Sequence, residues 1–327
     1  MAEWLLDEGV GEHRAALLDG GEIIEAAIDR LDGRLRVGAV VACRLGEKVG
    51  GGAWVAMSAG DAIVEAVPAG VSQGGELLVE VVREAIPEPG RAKPARVRAT
   101  DRPERAAPRL ADRLTGFPVR RLGGHEGERL ERAGWSALVE EAASGEIDFP
   151  GGALRLSPTP AMALFDVDGA GPPGELAVAG ARAAAAAIRR LAIGGSIGID
   201  LPTAPAQARR AAADAIDATL PPPFERTAVN GFGFVQIVRP RPRASIPELV
   251  RADPVLTAAL ELLRRGGTGH GPRRLVAAPA VIARIAARAE WTEELAARAG
   301  GAVALRPDPG TAISTAYVEL LGQIPPA

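Results

Sequence analysis

Residues 163–169, ALFDVDG, close an apolar run with two carboxylates. On an extended strand Asp166 and Asp168 stand at i and i+2, so both side chains leave the same face of a sheet. Asp200 ends a second apolar run, SIGID, one Ala-rich helix further along. If that helix makes the usual crossover, the two strands lie parallel and adjacent, and their C-terminal ends meet at one edge. Three carboxylates gathered there repel one another by an energy on the order of a few kcal/mol unless a cation is present. Hard oxygen ligands in that arrangement suit Mg²⁺ or Mn²⁺. A divalent ion at a sheet edge near arginines points to phosphate chemistry, with a metal-activated water in place of a side-chain nucleophile. The same acids also read as solvated strand ends or as caps for the helices that follow, Asp200 near Thr203 being the clearest case. No general-base histidine stands nearby in sequence, and there is no Ser/His/Asp order, P-loop or GxGxxG after a strand.

Composition bounds the rest. A chain of 327 residues, 47% hydrophobic, buries a sizeable core, is expected to form two or three domains and is no disordered polymer. No apolar run approaches the roughly 18 residues that span a bilayer. The first residues, MAEWLLDEGVGEHR, carry acids where a signal peptide carries bases, so a cytoplasmic protein without membrane contact is expected. A single cysteine, Cys43, excludes an intrachain disulfide and a Cys-based zinc site, and His13, His125 and His270 are scattered. A metal bound here is therefore held by oxygen.

The net charge of −3 taken alone argues against nucleic acid, but its distribution argues the other way. Between positions 91 and 121 stand Arg91, Lys93, Arg96, Arg98, Arg102, Arg105, Arg109, Arg113, Arg120 and Arg121, against Asp101, Glu104 and Asp112. A second stretch, VRPRPR, spaces Arg239, Arg241 and Arg243 two residues apart, so an extended chain would project all three guanidinium groups from one side. Arginine also does the ordinary surface duty of this chain, since Lys48 and Lys93 are its only lysines.

These groups must be positioned by recognisable elements. Residues 1–36 alternate apolar and polar positions like a hairpin, with breaks at Gly9–Glu12 and at Asp19-Gly20-Gly21. Residues 37–100 hold short strands separated by glycines, the pattern of a small closed barrel of OB type, in which Trp54 is either core or a surface on which a base stacks. Residues 101–146 form a charged, Pro/Gly-rich connector leading into a helix with Leu130, Trp135, Leu138 and Val139 on one face and Gly145 as its stop. Residues 147–245 alternate strand and helix in an α/β layer, and 246–327 make a small α/β module with two Ala/Leu helices and two strands.

ALFDVDGAG, then LAIGGSIGIDL, then VNGFGFVQIVRPRPRASI resembles, in the same order, the catalytic region of the ribonuclease E/ribonuclease G family. There a strand of the form IDVN, a second of the form GGIIIIDF and a later FGLVEMTRKR build a Mg²⁺-dependent endoribonuclease site on a deoxyribonuclease I-like subdomain. The resemblance implies that Asp166 and Asp200 hold the metal and that Asp168 stands where the family has asparagine, while the family's second acid after IDF is absent. Residues 37–100 resemble a shortened version of the family's OB-fold RNA-binding domain. Trp54 falls at an RNA-contacting aromatic, Lys93 at a family lysine, and Val64 at about the place of a second aromatic. The family's 5′-end sensor and most of its ribonuclease H-like subdomain are missing between barrel and catalytic layer, 101–146 being a remnant, and its paired zinc-linking cysteines are absent.

The resemblance thus implies an α/β multidomain chain: a deoxyribonuclease I-like catalytic layer with an inserted OB-fold barrel and a small C-terminal domain. Its expected activity is Mg²⁺-dependent cleavage of single-stranded RNA by Asp166, Asp168 and Asp200, leaving 5′-phosphate and 3′-hydroxyl ends. Trp54, Lys93, Arg239, Arg241 and Arg243 would bind the RNA, without zinc, and a homodimer lacking a zinc link stays open. The alternative is a catalytically weak RNA-binding protein of the same fold. A third reading is a metal-dependent enzyme on small phosphorylated substrates.

Overall fold

The computed structural model describes residues 1–88, 92–123, 126 and 128–322, so Arg91 and His125 lie outside the described residues. The two glycine breaks near the N-terminus divide it into three strands, β1 (Glu3–Glu8), β2 (Glu12–Asp19) and β3 (Glu22–Arg30), paired antiparallel as a meander. Five strands then form the barrel: β4 (Val40–Val49), β5 (Gly52–Met57), β6 (Gly60–Val64), β7 (Glu76–Arg83) and β8 (Ala95–Ala99). They close in the order β4-β5-β6-β8-β7, with β6 and β8 parallel. Small apolar side chains fill the interior, among them Ala53, Val55, Ala62, Val64, Val79 and Val97, each fully buried. The barrel is tight enough that a Cβ on Gly52 would come 2.0 Å from the Val64 carbonyl oxygen. A closed five-stranded barrel of this kind is compatible with an OB-like fold.

The connector contributes α1 (Leu110–Arg113) and β9 (Val119–Arg121), and β9 pairs in parallel with β1. The segments on either side of the barrel therefore join one four-stranded sheet, β3-β2-β1-β9, and the barrel is an insertion between its strands. The expected connector helix is split into α2 (Glu128–Arg132) and α3 (Trp135–Ser144) by Gly134 in the left-handed region. Leu130, Trp135 and Leu138 are buried as their spacing predicts. Gly145 ends α3 at φ +85°, and a Cβ there would lie 2.5 Å from the Leu156 carbonyl, so both conformation and space demand glycine.

The α/β layer follows: β10 (Glu146–Phe149), β11 (Gly152–Pro158), β12 (Ala163–Gly169), α4 (Pro173–Arg190), β13 (Gly195–Asp200), α5 (Ala206–Thr219), β14 (Glu225–Arg226) and β15 (Phe234–Arg239). The strands order as β10-β11-β12-β13-β15-β14, with β12 and β13 parallel neighbours joined through α4. One face packs Phe165, Val167, Ile197, Ile199, Val235 and Ile237 into the same core as the alanines of α4 and α5. That core also takes in Leu5, Ala16, Ile23 and Ala26, and α4 lies between the two sheets. The helix approaches closely: a Cβ on Gly180 would lie 2.4 Å from Val167 Cγ1. Each such Val, Ile or Phe side chain contributes roughly 1.5–3 kcal/mol by burial, which holds the strand register firmly. The positions between them are thereby forced onto the opposite face, where half-buried and exposed residues alternate with the core ones.

The C-terminal module is richer than its sequence pattern, with four helices and three strands among its described residues: α6 (Ile246–Ala252), α7 (Pro254–Gly266), β16 (Arg273–Ala277), α8 (Pro279–Ala286), α9 (Ala289–Ala299), β17 (Val303–Pro307) and β18 (Tyr317–Leu320). Its sheet runs β17-β16-β18 over its own core of Leu260, Leu263, Leu275, Val281, Ile285 and Trp291. Among the described residues no helix is long and apolar enough to cross a membrane.

Candidate active site on the open sheet face

Asp166 and Asp200 are register partners on β12 and β13. Because Phe165, Val167 and Ile199 point into the core, the pleat sends both aspartates to the open face. The row continues across the sheet: Glu146 pairs with Arg155, Arg155 with Asp166, Asp166 with Asp200 and Asp200 with Phe234. Asp168 lies on the same face one pleat onward, about 7 Å along the strand, opposite Ala153 and beyond the end of β13. The expected meeting of three carboxylates is therefore a facing pair with a third acid displaced along β12. Among the described residues no group of three or more His, Cys, Asp or Glu side chains could hold a metal ion. Two facing carboxylates do fit Mg²⁺, which keeps several waters and commonly takes only one or two protein carboxylates beside phosphate oxygens.

The capping role is not what these acids do. Pro172 and Pro205 occupy the N-cap positions of α4 and α5, with no side-chain cap bond at either helix. The side chains of Asp166, Asp168 and Asp200 make no hydrogen bond or ion pair with another described residue. Unpaired acids at adjacent register positions leave their oxygens available to a ligand.

Two neighbours carry chemistry that the sequence reading did not single out. Arg155 is exposed beside Asp166 and is likewise unpaired. Phe232 is 84% exposed in the turn before β15. The Asn230 Oδ1 accepts from the backbone N–H of Phe232 (2.9 Å) and of Phe234 (3.1 Å), and Thr203 Oγ1 donates to the Phe232 carbonyl, which fixes that turn beside the end of β13. Gly233 at φ +96° would place a Cβ 2.1 Å from the Leu201 carbonyl, so the turn presses against the strand that carries Asp200. The signal for Phe232 was an aromatic flanked by glycines in NGFG, and for Arg155 the alternation in LRL.

On the barrel, Trp54 sits between the buried Ala53 and Val55 and faces outward, half-buried. Its outward neighbours in register are Ile63 and then Arg96. Val64 points inward and is fully buried, so it does not stand in for an outward aromatic; the position beside Trp54 belongs to Ile63. Further along β8 and past its end, Arg98, Arg102 and Arg105 share the single carboxylate of Glu80 at 3.2, 3.5 and 2.8 Å. Burial works the other way, yet these arginines hold the Glu80 carboxyl below its usual range. Within this cluster three guanidinium groups outnumber one carboxylate.

Arg239, Arg241 and Arg243 do not form the one-sided array expected of an extended run, because β15 ends at Arg239. Arg239 donates to the Ile193 carbonyl at 3.1 Å. Arg241 is paired with Glu248, and Arg243 with Glu84 at 3.1 Å. Burial pushes the pKa of Arg239 and of Arg243 downward. Arg243 thereby ties the barrel base to the α/β layer, since Glu84 lies just past β7. Lys93 pairs with Glu88 at 2.6 Å at the rim of a cleft of about 580 Å³. Pro87, Lys93, Met162, Ala163, Ser196 and Arg251 are among its lining residues, so it lies between the barrel and the open sheet face. Ser196 shares that face with Asp200, four residues or about 13 Å away along β13.

No protein-family model matches the chain, and no curated protein matches it at a significant level.

Proposed function

We propose that the chain is a Mg²⁺-dependent endoribonuclease acting on single-stranded RNA in the cytoplasm, its six-stranded layer serving as a deoxyribonuclease I-like catalytic unit. The observation that carries this reading is the in-register, unpaired pair Asp166 and Asp200 on the sheet face away from α4 and α5. Asp166 and Asp200 would hold the ion, which when bound supplies Lewis acidity toward a phosphodiester and lowers the pKa of a water. The carboxylate oxygens of Asp168, one pleat along, accept a hydrogen bond from the attacking water and orient it. The water oxygen bonds to phosphorus while the bond from phosphorus to the 3′ oxygen breaks, leaving 5′-phosphate and 3′-hydroxyl ends. Trp54 offers a stacking surface on the barrel, with Ile63 between it and Arg96, and Phe232 a second one in the turn at the end of β13. The cleft at Lys93 gives the strand a route from the barrel to the open face.

A second reading, an RNA-binding protein with weak chemistry, is favoured by one observation: only two carboxylates face each other and Asp168 adds charge beside them. A fluorescent A/U-rich oligoribonucleotide incubated with Mg²⁺, with EDTA, and with the Asp200→Asn variant separates the two. Metal-dependent cutting lost in the variant supports the nuclease; a gel shift without cutting supports the binder. Cutting that survives EDTA and Asp200→Asn refutes the assigned site.

A further inference from the structure

We infer that Arg155 grips the phosphate that is cut, as the fixed positive charge on the flank of Asp166 away from Asp200; this rests on the nuclease reading above. Among the described residues Arg155, Arg182 and Arg210 are the arginines without an ion pair, a hydrogen bond or a ring contact. Arg182 and Arg210 project from α4 and α5 on the helix side of the sheet. Arg155 alone of the three stands on the open face.

Its setting makes the missing pair informative. Glu146 lies on one side in register and Asp166 on the other, at the strand spacing of about 4.8 Å. Neither carboxylate closes onto it, although arginine–carboxylate pairing is the rule elsewhere in this chain, as in Arg14–Asp7 and Arg36–Glu84. Side chains in one cross-strand row stand roughly parallel and perpendicular to the sheet, so the guanidinium and the Asp166 carboxylate both extend into the space above it. A phosphate held over Asp166 and Asp200 lies within the reach of an arginine rooted one strand away. The planar fork of arginine matches two non-bridging phosphate oxygens at once.

Charge gives the same result. The open face near the pair carries Glu146, Asp148, Asp166, Asp168 and Asp200, and Arg155 is the basic residue within that group of strands. A polyanion approaching the acids needs a cationic contact that belongs to the protein, and Arg155 supplies it before and during bond cleavage. Negative charge on the non-bridging oxygens grows as the attacking oxygen adds, so the contact is strongest when the bond breaks.

The test uses the phosphate that the wild-type protein cuts. An oligoribonucleotide with a neutral methylphosphonate at that one position is compared with the ordinary strand, with EDTA present so that binding is read without cutting. Wild-type protein should lose roughly 10-fold or more in affinity for the neutral strand, whereas Arg155→Ala should bind both strands within about 2-fold. Arg155→Lys should fall between them, and Arg182→Ala should behave as wild type. In Mg²⁺, Arg155→Ala should lose kcat by more than its KM rises. If wild-type protein cuts RNA but Arg155→Ala keeps full sensitivity to the methylphosphonate and an unchanged kcat, the assignment of Arg155 is overturned and the nuclease reading stands. If wild-type protein does not cut RNA at all, both fail together.

Discussion

Replacing Asp200 by asparagine should stabilise the metal-free protein while abolishing its response to divalent ions. Asp166 and Asp200 face each other across adjacent strands, so their charges are separated by about the strand spacing of 4.8 Å. Coulomb's law gives a repulsion of about 0.9 kcal/mol in bulk water and about 3.5 kcal/mol at an effective dielectric constant of 20. Asp200 is exposed and Asp166 half-buried, which places the value near the lower end, at about 1 kcal/mol. Asp200→Asn should gain that amount in EDTA, a rise of about 2 °C in melting temperature for a unit of this size, whereas Asp166→Asn should gain less, because Asp166 also faces the cationic Arg155 at the same spacing. The double variant should gain no more than either single one, because removing one charge already ends the repulsion. Salt at about 1 M should erase the gain by screening. Differential scanning fluorimetry in EDTA and across a Mn²⁺ titration reads all of this. Wild-type protein should rise with Mn²⁺ and both variants should not. An Asp200→Asn variant that loses stability, a double variant that is additive, or equal Mn²⁺ stabilisation of wild type and variants would refute the facing-pair argument.

Phe232→Ala should weaken binding of a single-stranded oligoribonucleotide by roughly 5- to 100-fold, the loss of one stack, with no change in melting temperature, since its ring is exposed; fluorescence anisotropy in EDTA measures it. Cys43 lies inside the barrel, and burial pushes its thiol up to about 11 from 9.0, so its thiolate population at neutral pH is about 100-fold below that of an ordinary thiol. Alkylation should therefore be slow in native buffer and fast in denaturant, and fast native labelling counts against a closed barrel. Burial raises the Glu12 carboxyl above its ordinary value, with Arg30, Arg14 and Arg264 opposing. A folded-state value that is raised gives stability that is complete at acid pH and lost as pH rises through it. The stability of Glu12→Gln relative to wild type should therefore increase as pH rises above the ordinary carboxylate range, read from urea midpoints; a constant or falling difference would contradict the sign.

Local sequence determined a good deal of this molecule. Glycine punctuation and two-residue alternation placed the five barrel strands, because side-chain period and turn chemistry are local properties. The Ala-rich run between Asp168 and Asp200 specified a helix, and a helix between two strands of one sheet implies the parallel neighbours that bring Asp166 beside Asp200. Tertiary structure decided the rest. Trp54 could be core or surface until barrel closure showed that Ala53 and Val55 take the interior. The spacing of Arg239, Arg241 and Arg243 suggested a cationic ladder, but their carbonyl and carboxylate partners come from Ile193, Glu248 and Glu84, the last distant in the chain, so long-range pairing consumed what local periodicity offered. Conversely, Arg155 looks ordinary in LRL, and β9 is three residues in a charged connector. Only strand order put the first next to a carboxylate and the second beside β1, because register across a sheet depends on which strands meet and no single strand encodes it.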